Sequence, residues 1–288
     1  MTRLFVRSCL FLFTLALAAQ DFSEIKFDYL AKDLGFAEGP AWSRKGYLVF
    51  SDTVGDRLMK WVPGALVAPL RPAAGPSGNA FDQEGRLYTC ETRGRRVVRT
   101  DEKGAVEVLA DKWEGKRLNA PNDVVVSKSG HVYFTDPAFG SQADQRELDF
   151  YGVYHLPPKG PLKLVAKTVG RPNGIALSPN GRVLYVVGSD ERNVRAYDLD
   201  KSGDASNERV LIANIPSVPG GIRSDSTGNL YVTGKSLYVY TAEGKPVHTM
   251  ELHHPASNCA FGESDGQTLF ITAGSEVFRA RFGAKGAY

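Results

Sequence analysis

The stretch NDVVVSKSGHVYFTD, residues 122–136, starts with a polar residue, has a glycine eight positions later and continues as an apolar alternating run. Val, Tyr, Phe and Thr on both sides of a Ser-Gly turn are typical of two antiparallel strands. The same spacing occurs at six places in the chain. The starts are Glu38, Ser77, Asn122, Asn173, Gly220 and Asn258, and the glycines are Gly46, Gly85, Gly130, Gly181, Gly228 and Gly266. A strand-rich repeat of ~40–50 residues predicts a β-propeller.

Each hairpin is followed by a third apolar strand, and five of the six are followed by a fourth. The third strands are expected at 57–62, 95–100, 152–157, 193–199, 236–241 and 276–282, and the fourth at 66–70, 106–110, 162–169, 209–215 and 246–252. The sixth repeat lacks its fourth strand, whereas an unpaired strand pattern precedes the first repeat at 24–31. We therefore predict an all-β, six-bladed β-propeller in which the N-terminal strand closes the last blade, because an edge strand left unpaired is a liability.

The N-terminus reads as an export signal. Arg3 and Arg7 precede a short apolar run at residues 9–18, which ends in Ala16-Leu17-Ala18, a small-x-small cleavage site. A membrane anchor is the alternative, but it needs ~20 apolar residues. We expect a signal peptide at residues 1–18 and one propeller domain at residues 19–288, located in the periplasm or secreted.

Charge and cysteine content limit the possible partners. The formal net charge is +3 over 288 residues, without a basic block, so nucleic acid is not an expected partner. No membrane association is expected after signal cleavage, and a monomer is expected. Cys90 and Cys259 lie in repeats that are not neighbours, so two separate thiols are favoured over a disulfide.

The six repeat starts should meet around the channel mouth, where the innermost strands begin. A carboxylate and several amide oxygens converging there indicate a site for a hard cation, and the absence of His and Cys at this phase disfavours zinc. The alternative is that the Asn side chains cap strand ends and order loops. No GxSxG motif and no Ser/His/Asp set shares this phase, so a serine-hydrolase triad is not supported.

Two further sets of recurring acidic residues are interpreted as structural. Asp52, Glu91 and Asp136 occur six residues after their turn glycines and are expected to bond the loop of the next blade. Asp82, Asp225 and Asp265 lie in the turns themselves and are expected to cap them.

Several segments carry a resemblance to a known family. They are GKRLNAPNDVVVSKSGHVYFTDPAFG (115–140), DFYGVYHLPPKG (149–160), RPNGIALSPNGRVLYVVGSD (171–190) and SNCAFGESDGQTLFITAG (257–274). The chain resembles the senescence-marker-protein/gluconolactonase/luciferin-regenerating-enzyme family, especially its exported bacterial gluconolactonases. The resemblance implies a divalent cation, commonly Ca²⁺ with Zn²⁺, Mg²⁺ and Mn²⁺ as alternatives. It also implies hydrolysis of a sugar lactone, with the cation polarising the ester carbonyl and activating water.

By this resemblance the metal ligands are Glu38 in GFAEGPAW, Asn173 in PNG and Asn122 in PND. Asn122 and Asn258 are expected to contact the substrate. The family's fifth repeat carries PDG, whose Asp binds metal and serves as general base, but here Gly220 stands at that position. The catalytic base is therefore unassigned.

Two functions remain open at this point. The first is a metal-dependent sugar lactone hydrolase that finds its base elsewhere. The second is a catalytically impaired propeller that binds a sugar-like ligand or a protein. In the first case an aspartate restored at Gly220 would be expected to point into an open channel and displace only water.

Overall fold

The computed structural model describes residues 25–168 and 170–288, so the predicted signal peptide lies outside the described residues. Within those ranges the chain forms six four-stranded antiparallel sheets, one small hairpin and a single 3-10 helix, Gly140–Gln145. No helix in this part of the chain is long and apolar enough to cross a membrane. The predicted six-bladed, all-β architecture is confirmed.

The first described strand is β1 (Phe27–Ala31), and the blades then follow in order, each from the inner strand outward. Blade 1 contains β2 (Ala37–Ser43), β3 (Tyr47–Asp52), β4 (Arg57–Trp61) and β5 (Ala68–Pro72). Blade 2 contains β6 (Pro76–Phe81), β7 (Leu87–Glu91), β8 (Arg96–Thr100) and β9 (Val106–Ala110). A hairpin of β10 (Lys112–Trp113) and β11 (Lys116–Arg117) follows.

The other blades repeat this order. Blade 3 contains β12 (Val124–Val126), β13 (Val132–Asp136), β14 (Tyr151–Leu156) and β15 (Lys163–Thr168). Blade 4 contains β16 (Pro172–Leu177), β17 (Val183–Gly188), β18 (Asn193–Leu199) and β19 (Ala205–Ile212). Blade 5 contains β20 (Ile222–Ser224), β21 (Leu230–Val232), β22 (Ser236–Tyr240) and β23 (Pro246–Glu251). Blade 6 contains β24 (Asn258–Gly262), β25 (Thr268–Ala273) and β26 (Glu276–Arg281).

The N-terminal strand completes blade 6. β1 pairs antiparallel with β26, and Tyr29 lies opposite Phe278. The Phe27 and Phe278 rings meet edge to face at 5.3 Å. Closure by the N-terminal strand is thus confirmed, and it covers the edge that β26 would otherwise expose.

The turns of the inner hairpins lie at the end of the channel that is opposite the mouth. We call this end of the channel the turn end. Gly130 has a φ of +84° and donates its N–H to the Ser127 carbonyl at 3.0 Å. In blade 5 the Asp225 carboxylate accepts the N–H groups of Thr227 and Asn229, each at 2.9 Å. Glycine supplies the left-handed backbone and aspartate caps the turn, as the sequence indicates.

The core lies between neighbouring blades. Tyr231 of blade 5 packs against Phe261 of blade 6 with ring centroids 5.0 Å apart, and both side chains are buried. Burial of each such ring stabilises the fold by ~1.5–3 kcal/mol. Cys90 and Cys259 are free buried thiols, as expected.

Acidic residues at the ends of the second strands order the mouth-side loops. Asp52 accepts the N–H groups of Gly35 and Phe36 at 2.9 and 3.2 Å. Asp136 accepts those of Asn119 and Ala120, both at 2.8 Å. Asp52 and Asp136 thus have a structural role, but each bonds the loop that leads into its own blade. Glu91 instead pairs with Arg71 of blade 1 at 3.3 Å and with Arg96 of its own blade at 2.7 Å, so the predicted contact with the loop of the next blade is wrong.

A histidine pair lies where blades 3 and 4 pack. His131 Nδ1 and His155 Nε2 are 2.8 Å apart, and the His155 ring stacks on Tyr133. Asp204 Oδ1 lies 3.4 Å from His155 Nδ1 and 2.6 Å from Lys163 Nζ. Burial, together with the neighbouring His131, lowers the pKa of His155 to about 4, and burial also lowers the pKa of His131. Two facing ring nitrogens share one proton, so double protonation would break the contact.

This pair predicts an acid-dependent loss of stability. A histidine pKa that is lower in the folded state than the unfolded value of ~6.5 favours folding above pH ~6.5. The contribution, on the order of 2 kcal/mol, is lost as the pH falls from ~6.5 toward 4. His155→Phe keeps an aromatic ring but cannot titrate, so its melting temperature should fall less than that of the natural protein over this range.

The control is His253→Gln, which removes an exposed histidine in the loop before blade 6. Thermal melts at pH 7.5, 6 and 4.5 measure the effect. Parallel pH curves for His155→Phe and the natural protein would contradict this account.

Candidate functional site at the channel mouth

Every inner strand has a β-bulge at its mouth end or directly before it, where two consecutive residues oppose one residue of the second strand. The bulge pairs are Glu38–Gly39, Ser77–Gly78, Asn122–Asp123, Asn173–Gly174, Gly220–Gly221 and Ser257–Asn258. Their opposing residues are Ser51, Cys90, Thr135, Val187, Thr233 and Thr272. We call the two members the first and the second bulge positions.

Carbonyls at the first bulge position bind the preceding blade. Three of these carbonyls accept a backbone N–H from the second bulge position of the preceding blade. The N–H donors and carbonyl acceptors are Gly78 and Asn122 at 2.7 Å, Gly174 and Gly220 at 2.9 Å, and Gly221 and Ser257 at 2.8 Å. The carbonyls of Ser77, Asn173 and Ser257 accept a side-chain hydroxyl from the second strand of the preceding blade. The donors are Ser51 at 2.6 Å, Thr135 at 2.7 Å and Thr233 at 3.0 Å, in the same order. These bonds fix the spacing of the blades around the axis.

Close approach between blades explains the glycines at the second bulge position. Gly39 has a φ of +50°, and a Cβ there would overlap the Ser77 carbonyl of blade 2. A Cβ on Gly78 would overlap Asp123 of blade 3. Only glycine lets these inner strands lie so close to the next blade.

Glu38 is buried at the mouth, with 7% of its surface exposed. Its Oε2 accepts the Gly39 N–H at 2.6 Å and the Asn258 Nδ2 at 3.3 Å. Burial first, and then the nearby negative charge of Asp123, raise the Glu38 pKa to about 7. A buried carboxylate with a raised pKa is a group that a positive charge would stabilise in its ionised form.

Two asparagines at equivalent positions carry amide oxygens that accept no hydrogen bond from residues 25–168 and 170–288. The Asn122 Oδ1 is buried and has no hydrogen-bond donor among the described residues. Asn173 donates its Nδ2 to Ser189 Oγ at 3.1 Å, which leaves its amide oxygen available. A buried carbonyl oxygen without a donor costs ~1–3 kcal/mol unless a ligand satisfies it.

These residues fit a hard divalent cation such as Ca²⁺. One carboxylate and two amide oxygens at matching bulge positions are oxygen donors of the kind that Ca²⁺ and Mg²⁺ use. No cluster of three or more His, Cys, Asp or Glu side chains that could hold a metal ion occurs within residues 25–168 and 170–288. The donor set therefore supplies a single formal negative charge, from Glu38.

Gly220 occupies the first bulge position of blade 5, as expected, but its surroundings are not open. A Cβ there would overlap the Ser257 carbonyl of blade 6 and lie 3.2 Å from Thr233 Oγ1. The expectation that an aspartate at this position displaces only water is wrong, because the Gly220–Gly221 bulge packs directly against the inner strand of blade 6.

Asn258 lies one position further along its bulge than the repeat predicts. Ser257 N–H bonds the Thr272 carbonyl at 2.8 Å, as Asn122 N–H bonds Thr135 and Gly220 N–H bonds Thr233. Ser257 is thus the counterpart of Asn122, and Asn258 is the counterpart of Asp123. The hairpin of blade 6 is one residue pair longer, so counting back from its turn glycine shifts the register. Asn258 still reaches the mouth, through Glu38.

Sequence reasoning missed an ion pair across the channel. Asp123 is fully buried, and its Oδ2 accepts Ile175 N–H and Arg223 Nη1, both at 3.2 Å. Arg223 Nη1 also donates to the Ile222 carbonyl at 2.7 Å. The pair joins blade 5 to blade 3 inside the channel. The signal was present in the sequence, since Asp123 directly follows a repeat start.

Comparisons with known proteins match this geometry. Residues 36–275 match the SMP-30/Gluconolactonase/LRE-like region family. A gluconolactonase from Zymomonas mobilis is 34% identical, over 88% of this chain and 80% of its own.

Solved structures of related proteins have the same fold as this chain. A gluconolactonase from Xanthomonas campestris superimposes with a TM-score of 0.84 at 33% identity, covering 93% of this chain and 92% of its own. Regucalcin from Agrobacterium tumefaciens, a calcium-binding protein, has a TM-score of 0.76 at 18% identity, over 90% and 95% of the two chains, and so shares the fold. The bulge ring, the blade order and these matches together show that the chain belongs to the SMP-30/gluconolactonase/LRE-like family.

Proposed function

We propose that the protein is an exported, divalent-cation-dependent hydrolase of a sugar lactone, slowed by the glycine at position 220. The observation that carries this proposal is the unsatisfied Asn122 oxygen at the position equivalent to Glu38, in a chain that matches gluconolactonases. The substrate class comes from those relatives, and the cation from the donor set and from the calcium-binding relative.

The residues at the mouth would have different roles in binding the cation and the substrate. Glu38 would provide the charge that holds the cation, and the amide oxygens of Asn122 and Asn173 would complete the protein ligands. When bound, a divalent cation would supply a Lewis acid for the ester carbonyl. Asn258 orients the Glu38 carboxylate through its 3.3 Å hydrogen bond. Because Asn258 is only 1% exposed and its Oδ1 accepts the Cys259 N–H, this positioning role replaces the direct substrate contact that the sequence suggested. Gly220 offers neither ligand nor base.

Gly220, which supplies no general base, also supports a second candidate function, namely ligand or protein binding without hydrolysis. Loss of a positioned general base costs ~10²–10⁴ in rate. A propeller without that base could retain only the binding of a sugar-like ligand, or could bind a protein. Hydrolysis of glucono-1,5-lactone with added calcium, corrected for spontaneous ring opening, separates the two functions. A rate equal to the spontaneous one at every calcium concentration would favour the binding function.

Glu38 should dominate calcium binding. Glu38→Gln removes the one charged ligand of the proposed site, so calcium affinity should fall at least ~100-fold, while Asn122→Ala and Asn173→Ala should each lower it ~10-fold. Because burial raises the Glu38 pKa to about 7, calcium should bind more weakly at pH 6 than at pH 8 in the natural protein.

Isothermal titration with CaCl₂ measures these affinities. The matched control is Glu102→Gln, which removes an exposed carboxylate paired with Lys45 on the turn side of blade 2. Calcium affinity unchanged in Glu38→Gln would refute the proposed site.

Substitutions at Gly220 should separate a steric effect from a charge effect. Gly220→Ala and Gly220→Asp both add a Cβ against the Ser257 carbonyl, so both should lower stability by ~1–3 kcal/mol, as overpacking does. Only Gly220→Asp adds a second carboxylate to the ring of first bulge positions. Its melting temperature should therefore rise more on addition of millimolar calcium than that of Gly220→Ala.

Melts with EDTA and with calcium measure both effects. A stability of Gly220→Ala equal to that of the natural protein would show that the packing argument is wrong. Equal calcium responses in the two variants would remove the role assigned to the missing carboxylate.

Export predicts a processed N-terminus. Intact-mass spectrometry of the protein purified from its own cells should give a chain that begins at Ala19, because Ala16-Leu17-Ala18 is the cleavage pattern. A chain that retains residues 1–18 and is recovered from the cytoplasm would contradict export.

A further inference from the structure

The turn end of the channel contains a cavity of about 460 Å³, which is separate from the mouth. Its walls come from the inner strands of the blades and from their turns, including Trp42, Arg44 and Lys128. Arg223, which pairs with Asp123, lies at its inner end. A cavity of this size lies within the ~300–1,000 Å³ range of small-molecule sites.

Segment 285–288 crosses one side of the opening. The Lys285 carbonyl accepts Ser226 N–H at 2.6 Å, and Gly286 N–H bonds the Gly266 carbonyl at 3.0 Å. Tyr288 reaches blade 4, where its hydroxyl donates to the Ser178 carbonyl at 3.0 Å. The segment thus spans blades 6, 5 and 4 and narrows the opening to a defined pocket.

Arg223 presents unused donors to this cavity. All of its protein hydrogen bonds are made by Nη1, to Asp123, Ile175 and Ile222. Nε and Nη2 have no partner among the described residues, and 17% of the side chain is exposed. A largely buried guanidinium with a free N–H fork is suited to a carboxylate, which can accept two parallel hydrogen bonds.

The charges around the opening are mainly positive. Arg44, Lys128 and Lys285 line it and form no ion pair within the described part of the chain. The acidic residues there are already neutralised: Asp82 by Arg86, and Glu263 by Arg279. A positively lined cavity with apolar walls concentrates the field and favours an anion.

The remaining lining is apolar and includes an aromatic wall. Trp42 and Phe261 line the cavity, and Trp42 is held in place by stacking on Phe270 with centroids 5.4 Å apart. We propose that the turn end binds a small organic carboxylate, with its carboxylate on the free donors of Arg223 and its apolar body against Trp42 and Phe261. This site is distinct from the lactone site proposed at the mouth, because none of Glu38, Asn122, Asn173 and Asn258 lines the cavity.

Titration of the full-length protein with sodium benzoate tests the proposal. Benzoate should bind with saturation, measured by calorimetry, and should change the emission of Trp42. Benzamide has nearly the same shape without the charge, so it should bind at least ~10-fold more weakly, since charge-assisted hydrogen bonds are the stronger ones. Inorganic phosphate, an anion without an apolar body, should also bind more weakly than benzoate.

Matched variants locate the binding. Arg223→Lys keeps the charge but removes the fork, and should weaken benzoate ~10-fold or more. Arg44→Gln and Lys128→Gln should each weaken it ~2–3-fold, as loss of an exposed charge does. Lys45→Gln removes the same charge from the turn residue next to Arg44 but does not line the cavity, so benzoate affinity should not change.

Trp42→Phe assigns the optical signal among the three tryptophans of the chain. In this variant the emission change should disappear, while calorimetric binding should weaken but still saturate, because phenylalanine keeps a smaller aromatic wall. If Arg223→Lys does not fold, the benzoate affinities of Arg44→Gln and Lys128→Gln are compared with that of Lys45→Gln. Weaker binding in the first two variants than in Lys45→Gln would then locate benzoate in the cavity.

Three results would overturn the proposal. They are the absence of saturable benzoate binding, benzamide or phosphate binding as tightly as benzoate, and equal benzoate affinity in the cavity variants and in Lys45→Gln. All readouts are direct binding, so the outcome does not depend on lactone hydrolysis.

Discussion

The paired bulge on each inner strand is the constraint on which the rest of this propeller depends. At each bulge, two residues of the inner strand lie opposite one residue of the second strand. The carbonyl of the first bulge residue must also accept a hydrogen bond from the preceding blade, as the Asn122 carbonyl accepts the Gly78 N–H at 2.7 Å. A bulge increases local twist and redirects side chains. Here the two positions have different neighbours: Glu38, Asn122 and Asn173 occupy first positions, whereas a Cβ at the second-position Gly39 or Gly78 would overlap the inner strand of the next blade.

The two positions explain why the channel has unlike ends. First positions place Glu38, Asn122 and Asn173 at the mouth, where their oxygens lack sufficient protein donors. Among the second positions, Asp123 of blade 3 carries the charge that holds Arg223 across the axis. The oxygen-lined mouth is suited to a cation and the positively lined turn end to an anion.

Much of the fold could be predicted because a propeller repeats its local signals. The turn glycines and alternating strands located all six blades, and the unpaired strand before the first repeat located the closure. The register in blade 6 could not be predicted in this way, because a hairpin longer by one residue pair leaves the same pattern and shifts Asn258 from the first position to the second. Hydrogen bonds, not spacing, reveal that shift.

The candidate site was predicted less completely, for physical reasons that involve distant parts of the chain. Asp123 and Arg223 are 100 residues apart, and only the closed ring brings them together. The tight packing at Gly220 depends on a carbonyl of the next blade, Ser257, which a local reading of Pro219-Gly220-Gly221 cannot include. Residue types can be read from the sequence, but contacts between blades depend on how closely the inner strands approach.

The proposed function depends on a cation bound by the unsatisfied oxygens at the mouth. Crystals soaked in about 10 mM CaCl₂ test it most directly, through the anomalous signal of the bound ion. We expect one calcium ion at the mouth, with oxygens of Glu38, Asn122 and Asn173 at ~2.3–2.6 Å. An ordered water on the Asn122 oxygen, with no ion beside Glu38 at this concentration, would contradict it.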